Sequence, residues 1–283
     1  MSEPVPTPRD AATVLLFRGD TDFEIFMVRR GARAQFMANA MVFPGGRLDE
    51  ADCADDIAER CALNRRQAAD LMGTTDGRRA LGLLVAAVRE TFEEAGVLLA
   101  RRRGRPLTLN DPPDAARFQA HRDALNAHTV SFASILEAED LVLAVDAVTY
   151  YTRWVTPTVE KRRYDARFLM ARAPDGQRPL HDAHETTASE WLSPAAALAA
   201  YAAREIQLAP PTLRILRELG RVSSVDEALS LGPPKQPIQP QPLFEDGVFH
   251  LLLPGDPQFD PPGEAENRVT LRDGHWHTVG RGA

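Results

Sequence analysis

Apolar residues along this chain recur with two periods. Ala12-Thr13-Val14-Leu15-Leu16-Phe17 is a continuous run of the length and type of a strand buried on both faces. Gly19-Asp20 supplies a turn, and Phe23-Glu24-Ile25-Phe26-Met27-Val28 alternates into a second strand. Met41-Val42-Phe43 predicts a third, ended by Pro44 and a tight Gly45-Gly46 turn. From about Arg78 the period becomes helical. Leu81, Leu84, Val85, Val88, Phe92 and Ala95 form one stripe, Thr75 or Asp76 can cap its start, and Gly96 ends it.

The same criteria place a helix over Cys53–Gly73 and a strand at Val97–Ala100. Two helical stretches follow, 112–125 and 131–139, suited to a lid or a dimer face. Strands are expected over Ala147–Pro157 and Arg163–Ala171, then helices from Ser193-Pro194, from Pro210 to Leu219 and from Val225 to Leu231. Residues 232–243 are rich in Pro and Gln and read as an extended linker. Beyond it, Gly247–Leu253, Asn267–Leu271 and His275–Thr278 are strand-like, with a hairpin turn at Asp273-Gly274, and apolar enough to pack back on the rest.

The helix over 78–95 carries the chemistry. With Glu90 at zero, Glu93 and Glu94 lie roughly 60° to one side and 40° to the other. Three carboxylates thus share one face of the last turns. Ala86 and Ala87 lie one turn back on that face, which predicts a low, open surface beside the acids. As plain structure this is electrostatically poor. The charges repel one another and crowd the negative end of the helix dipole. A divalent cation removes both penalties. Mg²⁺ suits oxygen donors and keeps waters for a phosphate substrate. An ordinary solvated acidic face is the competing explanation.

The stretch Phe43-Pro44-Gly45-Gly46 and the stretch Arg89-Glu90-Thr91-Phe92-Glu93-Glu94-Ala95-Gly96-Val97 together resemble the two halves of a Nudix box. Gly46 fills its first glycine. Asp52 stands where that box has Glu, Thr91 where an aliphatic residue is usual, and the spacer is much longer than seven residues. A split box of this kind, with Trp154-Val155-Thr156-Pro157 and Arg163-Tyr164-Asp165-Ala166-Arg167-Phe168 further on, resembles the branch that includes the peroxisomal-type coenzyme A diphosphatases and bacterial relatives.

That resemblance implies an α/β/α sandwich with a mixed sheet over residues 10–232, an inserted helical segment near 53–77, and an extension over 233–283. It implies hydrolysis of a diphosphate in a nucleoside diphosphate-linked substrate, coenzyme A or acyl-coenzyme A, with ADP-ribose or NADH as alternatives. It implies Mg²⁺ or Mn²⁺ on Glu90, Glu93 and Glu94 with the Gly45 carbonyl, and Arg89 orienting the carboxylates, Asp52 among its partners. The general base is then one of these glutamates or Glu185, with Glu190 second. A non-catalytic nucleotide-binding regulator is the alternative that Asp52 and Thr91 allow. The dedicated coenzyme A signature has Gly where this chain has Asn39.

Arginines that could meet phosphates fall in two clusters, Arg29, Arg30 and Arg33, and Arg162, Arg163 and Arg167. Ion pairing of the second with Glu160 and Asp165 is the plainer use. His181 and His184 sit among acids in a loop, but without the further spaced His or Cys of a zinc site.

The 283 residues are enough for a sizeable core, and 44% hydrophobic and 26% charged residues are ordinary for a globular chain. The net charge of −7 argues against a general nucleic-acid or membrane surface, and the resemblance implies a small-molecule nucleotide substrate as the partner. Monomer and homodimer both stay open. Cys53 and Cys61 have no metal-type spacing and imply a reducing compartment. With no basic-then-apolar leader, no membrane-length run and no peroxisomal address at the C-terminus, the expected location is cytoplasmic.

Overall fold

A computed structural model describes residues 5–31, 39–179, 181, 186–233 and 236–280. In chain order the first half contains β1 (Arg9–Arg18), β2 (Glu24–Arg30), β3 (Met41–Val42), β4 (Gly45–Arg47), α1 (Asp55–Ala58), α2 (Arg65–Met72), α3 (Gly77–Ala95), β5 (Ala100–Arg102), β6 (Arg105–Pro106), α4 (Pro112–Asn126), α5 (Phe132–Ala138) and β7 (Leu141–Leu143). The second half contains β8 (Thr149–Val155), β9 (Tyr164–Arg172), β10 (Thr186–Leu192), α6 (Pro194–Ala202), α7 (Pro210–Leu219), α8 (Val225–Ser230), β11 (Gln241–Glu245), β12 (Val248–Leu252), β13 (Asn267–Arg272) and β14 (His275–Gly280).

The main sheet runs β10-β2-β1-β9-β8, with β3 on β2 and β4 on β1. It is mixed: β1 and β9 are parallel, and the remaining pairs are antiparallel. Alternation along each strand divides the apolar residues between two cores. Ala12, Val14, Leu16, Phe26, Val28 and Leu169 face one core, shared with α3, α4 and α5. Leu15, Phe17, Ile25, Met27, Phe168 and Met170 face the other, shared with α6, α7 and α8. The chain is therefore an α/β sandwich with helices on both faces of a mixed sheet.

Three expectations change. Gly45-Gly46 is no turn: both residues pair with β1, Gly45 opposite Thr13 and Gly46 opposite Ala12. Pro44 only interrupts the run, because its carbonyl still accepts from the Val14 N–H at 2.8 Å. The helix expected over Cys53–Gly73 is three pieces, a 3-10 turn over Glu50–Cys53, then α1 and α2. Asn64 starts α2 through a capping box with Gln67, and a cap in the middle of an apolar stripe divides it. The expected linker also contains β11, which pairs with β12.

The last four strands form a second sheet, β11-β12-β13-β14. Ile238, just before it, bonds to the edge of β8 through Val155 N–H and Arg153 O. Tyr201 of α6 exchanges two hydrogen bonds with the Trp276 backbone. Leu251, Leu253 and Val269 join the second core. No described helix is long and apolar enough to cross a membrane.

Candidate active site

Helix α3 starts where the Asp76 side chain accepts from the Arg79 N–H, and it ends at Gly96 in a left-handed conformation, φ 70°. Every residue from Ala80 to Arg89 is buried. Ala86 and Ala87 are fully covered, so the open surface expected beside the acids is absent. Both belong to the first core, and α3 is packed by β1, β4, α2 and the 3-10 turn. Glu90, Glu93 and Glu94, in the last two turns, are only partly covered.

Strand β4 lies directly against these acids. A Cβ on Gly46 would sit 2.3 Å from the Glu90 carboxyl carbon, and one on Gly45 would sit 2.4 Å from the Ala12 carbonyl. Glycine is needed at both positions for close approach. Gly45 N–H donates to Glu94 Oε2 at 2.9 Å. Antiparallel strand geometry points the N–H and C=O of one residue to the same side, so the Gly45 carbonyl also faces away from β1.

Arg89 organises the acids. Its Nε and Nη2 grip the two oxygens of Asp52 at 2.8 and 2.9 Å. Nη1 donates to Glu90 Oε1 at 2.9 Å and to Glu93 Oε2 at 3.0 Å, and Nη2 reaches the Arg47 carbonyl at 3.0 Å. All five guanidinium donors are thus engaged. Burial works against its charge, but the Asp52 hydrogen bonds and the nearby carboxylates outweigh it and raise its pKa. For Glu90, burial is the larger effect. It pushes the carboxyl up to about 7 against the pull of Arg89, with the Glu93 charge adding to the rise. Burial raises Glu93 as well, opposed by Arg89.

Asp52 is itself buried, and its Oδ2 accepts from the Asp49 N–H at 2.9 Å. Thr91 is also fully buried; its hydroxyl donates to the Ala87 carbonyl at 2.7 Å, leaving the methyl to pack as an aliphatic residue would. Asn39 has φ 64°, a backbone that glycine adopts freely and asparagine tolerates. Arg29 is partly exposed and reaches the Asn39 carbonyl at 3.5 Å. Arg33 and Glu185, with His184, lie outside the described residues. Glu190 is exposed on β10.

Arg163 and Arg167 are not turned to the acidic end of α3. Arg163 donates to the Pro6 and Thr156 carbonyls at 2.8 and 3.1 Å. Arg167 pairs with Asp10 at 2.7 Å and Asp165 at 3.1 Å, inside a partly buried network that also takes in Arg79 and Arg153. The residues that sequence reasoning did not find are Arg122 and Asn126 of α4. Both donate to the Glu93 carbonyl, at 2.8 and 3.3 Å. They sit 29 and 33 residues away from it, and nothing local marks them.

The donor set fits a hard divalent cation in its chemistry: carboxylate and carbonyl oxygens, buried enough to raise two carboxyl pKa values. Among the described residues, no three His, Cys, Asp or Glu side chains are already gathered as a cage; Arg89 and the Gly45 N–H hold the glutamates. Mg²⁺ needs no full cage, since waters and a substrate phosphate supply most of its ligands.

These features define a Nudix hydrolase. The family model described as NUDT19 Nudix domain matches residues 78–221, half of the chain, and the chain belongs to that branch of the Nudix family. It is 29% identical to the acyl-coenzyme A diphosphatase NUDT19 of Gallus gallus, over 93% of this chain and 83% of that one. It is 28% identical to the protein of the same name in Homo sapiens, over 83% and 72%. The crystal structure of a NUDIX hydrolase from Alicyclobacillus acidocaldarius superposes with a TM-score of 0.63 at 26% identity, covering 81% of this chain and 99% of that one.

Proposed function

We propose that this enzyme hydrolyses the diphosphate of a coenzyme A-type substrate, coenzyme A or acyl-coenzyme A, with the help of Mg²⁺ or Mn²⁺. The observation that carries it is Arg89, which fixes Asp52, Glu90 and Glu93 in one hydrogen-bonded unit beside the glycine strand. A fold needs no such concentration of carboxylates at the negative end of a helix; a site that neutralises phosphate through a cation does. The names of the two relatives support the substrate class. Asn39 departs from the coenzyme A signature, although its left-handed backbone is one that glycine also takes.

In this reading Glu90, Glu93 and Glu94 hold the cation with the Gly45 carbonyl. When bound, the cation neutralises phosphate charge and lowers the pKa of water on it. Arg89 sets the carboxylate positions and, with every donor engaged, does not itself reach the substrate. Glu93, Glu94 or Glu185 takes the proton of the attacking water. Arg29 and Arg33 are candidates for the substrate's other phosphate. The ties of Arg163 and Arg167 support a structural role for those two. The partner in this reading is a small-molecule nucleotide substrate, in keeping with the names of the relatives.

The test is incubation of the protein and Mg²⁺ with coenzyme A, acyl-coenzyme A, ADP-ribose and NADH, with products weighed by mass spectrometry. Release of 4′-phosphopantetheine or its acyl form, with adenosine 3′,5′-bisphosphate, is expected. Cleavage of ADP-ribose or NADH alone would move the substrate class. Tight binding without turnover would favour a regulatory module.

A further inference from the structure

Glu93 is held at both ends. Its carboxylate accepts from Arg89 Nη1 at 3.0 Å. Its backbone carbonyl accepts from a second arginine, Arg122 of α4, through Nε at 2.8 Å, and from the Asn126 side chain at 3.3 Å. The Gly96 N–H closes α3 on the Phe92 carbonyl at 2.9 Å. The Glu93 carbonyl is the next in line, among those a helix leaves without an internal donor, and α4 takes it up.

Gly96 makes room for this contact. A Cβ there would lie 3.0 Å from Arg122 Nη1, in addition to the left-handed backbone that already favours glycine. Arg122 is only 3% exposed. Burying a guanidinium is costly unless its charge is answered. Here it meets the negative end of the α3 dipole, the end that three glutamates already crowd. Capping alone needs neither a buried cation nor two side chains on one oxygen; glycine and water suffice at many helix ends. The helix that carries Arg122 is itself braced. Arg117 and His121 meet the Glu139 carboxylate at 2.7 and 2.9 Å, and Arg102 of β5 joins the same carboxylate.

Resting on the metal-dependent reading above, we infer that Arg122, assisted by Asn126, is a positioning residue for the metal site. It acts through the Glu93 backbone. With the carbonyl fixed from α4 and the carboxylate fixed by Arg89, the Glu93 side chain is in place before a cation arrives. The charge of Arg122 also offsets the helix end that opposes three ionised carboxylates. Removing an outer contact that orients a metal ligand costs about 10–100-fold in metal affinity or activity.

The test is Mn²⁺ binding to the full-length protein without substrate, read by electron paramagnetic resonance, beside kcat and KM at saturating Mn²⁺. Arg122→Met should weaken Mn²⁺ binding about tenfold and lower kcat to a similar degree, with KM nearly unchanged. Arg122→Lys keeps the charge and a donor and should recover part of both losses. Asn126→Ala removes only the longer contact and leaves every charge in place, so it serves where Arg122→Met does not fold. It should weaken Mn²⁺ binding about two- to threefold, the share of one neutral hydrogen bond. Variants that melt lower but keep wild-type Mn²⁺ affinity and kcat would make Arg122 an ordinary helix cap and overturn the inference, whether or not the substrate class holds. If the variants lose Mn²⁺ affinity and wild type cleaves no coenzyme A-type substrate, the substrate class falls and the positioning role stands. Absence of Mn²⁺ binding by wild type would remove the role together with the metal.

Discussion

Arg89 and Asp52 are 37 residues apart and meet as a two-pronged pair at 2.8 and 2.9 Å, both side chains buried. The insertion between the halves of the box thus starts from a residue locked to α3. Asp52 lies at the end of a short turn whose start, the Asp49 N–H, it also binds, so a short side chain reaches where the family has a longer one.

Breaking a buried pair costs roughly 3–5 kcal/mol when the other charge is left uncompensated; here Glu90 and Glu93 still face Arg89, so that figure is an upper bound. Asp52→Asn should therefore lower the melting temperature. It should also lower kcat at temperatures where the variant is folded, because Glu90 and Glu93 then compete for a freed guanidinium. A variant with wild-type melting temperature and wild-type kcat would remove Arg89 from its organising role.

Glu93→Gln and Glu94→Gln should each lower kcat by roughly 10²–10³-fold, the size of loss when one preorganised electrostatic contact is taken from a transition state. Neither should unfold the protein, since each removes a charge from the negative helix end. Mg²⁺ should raise the melting temperature of wild type more than that of either variant. Equal gains by thermal scan would sink the metal assignment.

Glu90 gives a pH prediction for the metal-free protein. Burial places its folded pKa at about 7, above the ordinary value of 4.5. The folded state then holds the proton more tightly than the unfolded one. Its contribution to stability is full below the ordinary value and is lost as pH rises through about 7. Melting temperatures in EDTA should fall over this window, and the fall should shrink in Glu90→Gln. Mg²⁺ favours the carboxylate and should oppose the loss.

Most of the sheet was legible because β1 and β2 carry uninterrupted or alternating apolar runs, and α3 was legible because its stripe and its Gly96 end are local signals. The acidic face was legible for the same reason: three glutamates at helical spacing need no tertiary knowledge. What was not legible depended on contact at a distance. The burial of Ala86 and Ala87 comes from the elements packed around α3. The Gly45-Gly46 pairing comes from β1, whose partner cannot be read from the glycines. The anchoring of Glu93 by Arg122 joins elements that share no pattern, and Arg163 and Arg167 turned out to hold the N-terminal segment and the β1–β9 edge.

Neighbouring glycines should fail in different ways. Alanine at Gly45 drives its Cβ into the Ala12 carbonyl, fixed backbone that cannot yield, whereas alanine at Gly46 meets only the end of the Glu90 side chain. Gly45→Ala should lower the melting temperature by separating β4 from β1. Gly46→Ala should keep most of the stability while displacing Glu90, and so lose activity and the Mg²⁺-induced thermal gain together. Thermal scans with and without Mg²⁺ on both variants would show it; the reverse pattern would contradict the geometry.

The last prediction concerns the C-terminal sheet. We propose that residues 233–283 fold cooperatively with 10–232 rather than as a separate unit. Leu251, Leu253 and Val269 share the second core with Trp154, Phe168 and Met170, and Ile238 hydrogen-bonds the edge of β8. Ending the chain at residue 232 would expose the apolar side chains of that core and the backbone of β8. Burying one large apolar side chain contributes about 1.5–3 kcal/mol, and a typical domain has only about 5–15 kcal/mol of net stability. Full-length protein should therefore unfold in one calorimetric transition. The truncated chain should be insoluble or melt much lower, even though every candidate metal ligand is retained. A second transition in the full chain, or an active truncated chain with unchanged melting temperature, would show that the sheet is an independent appendage.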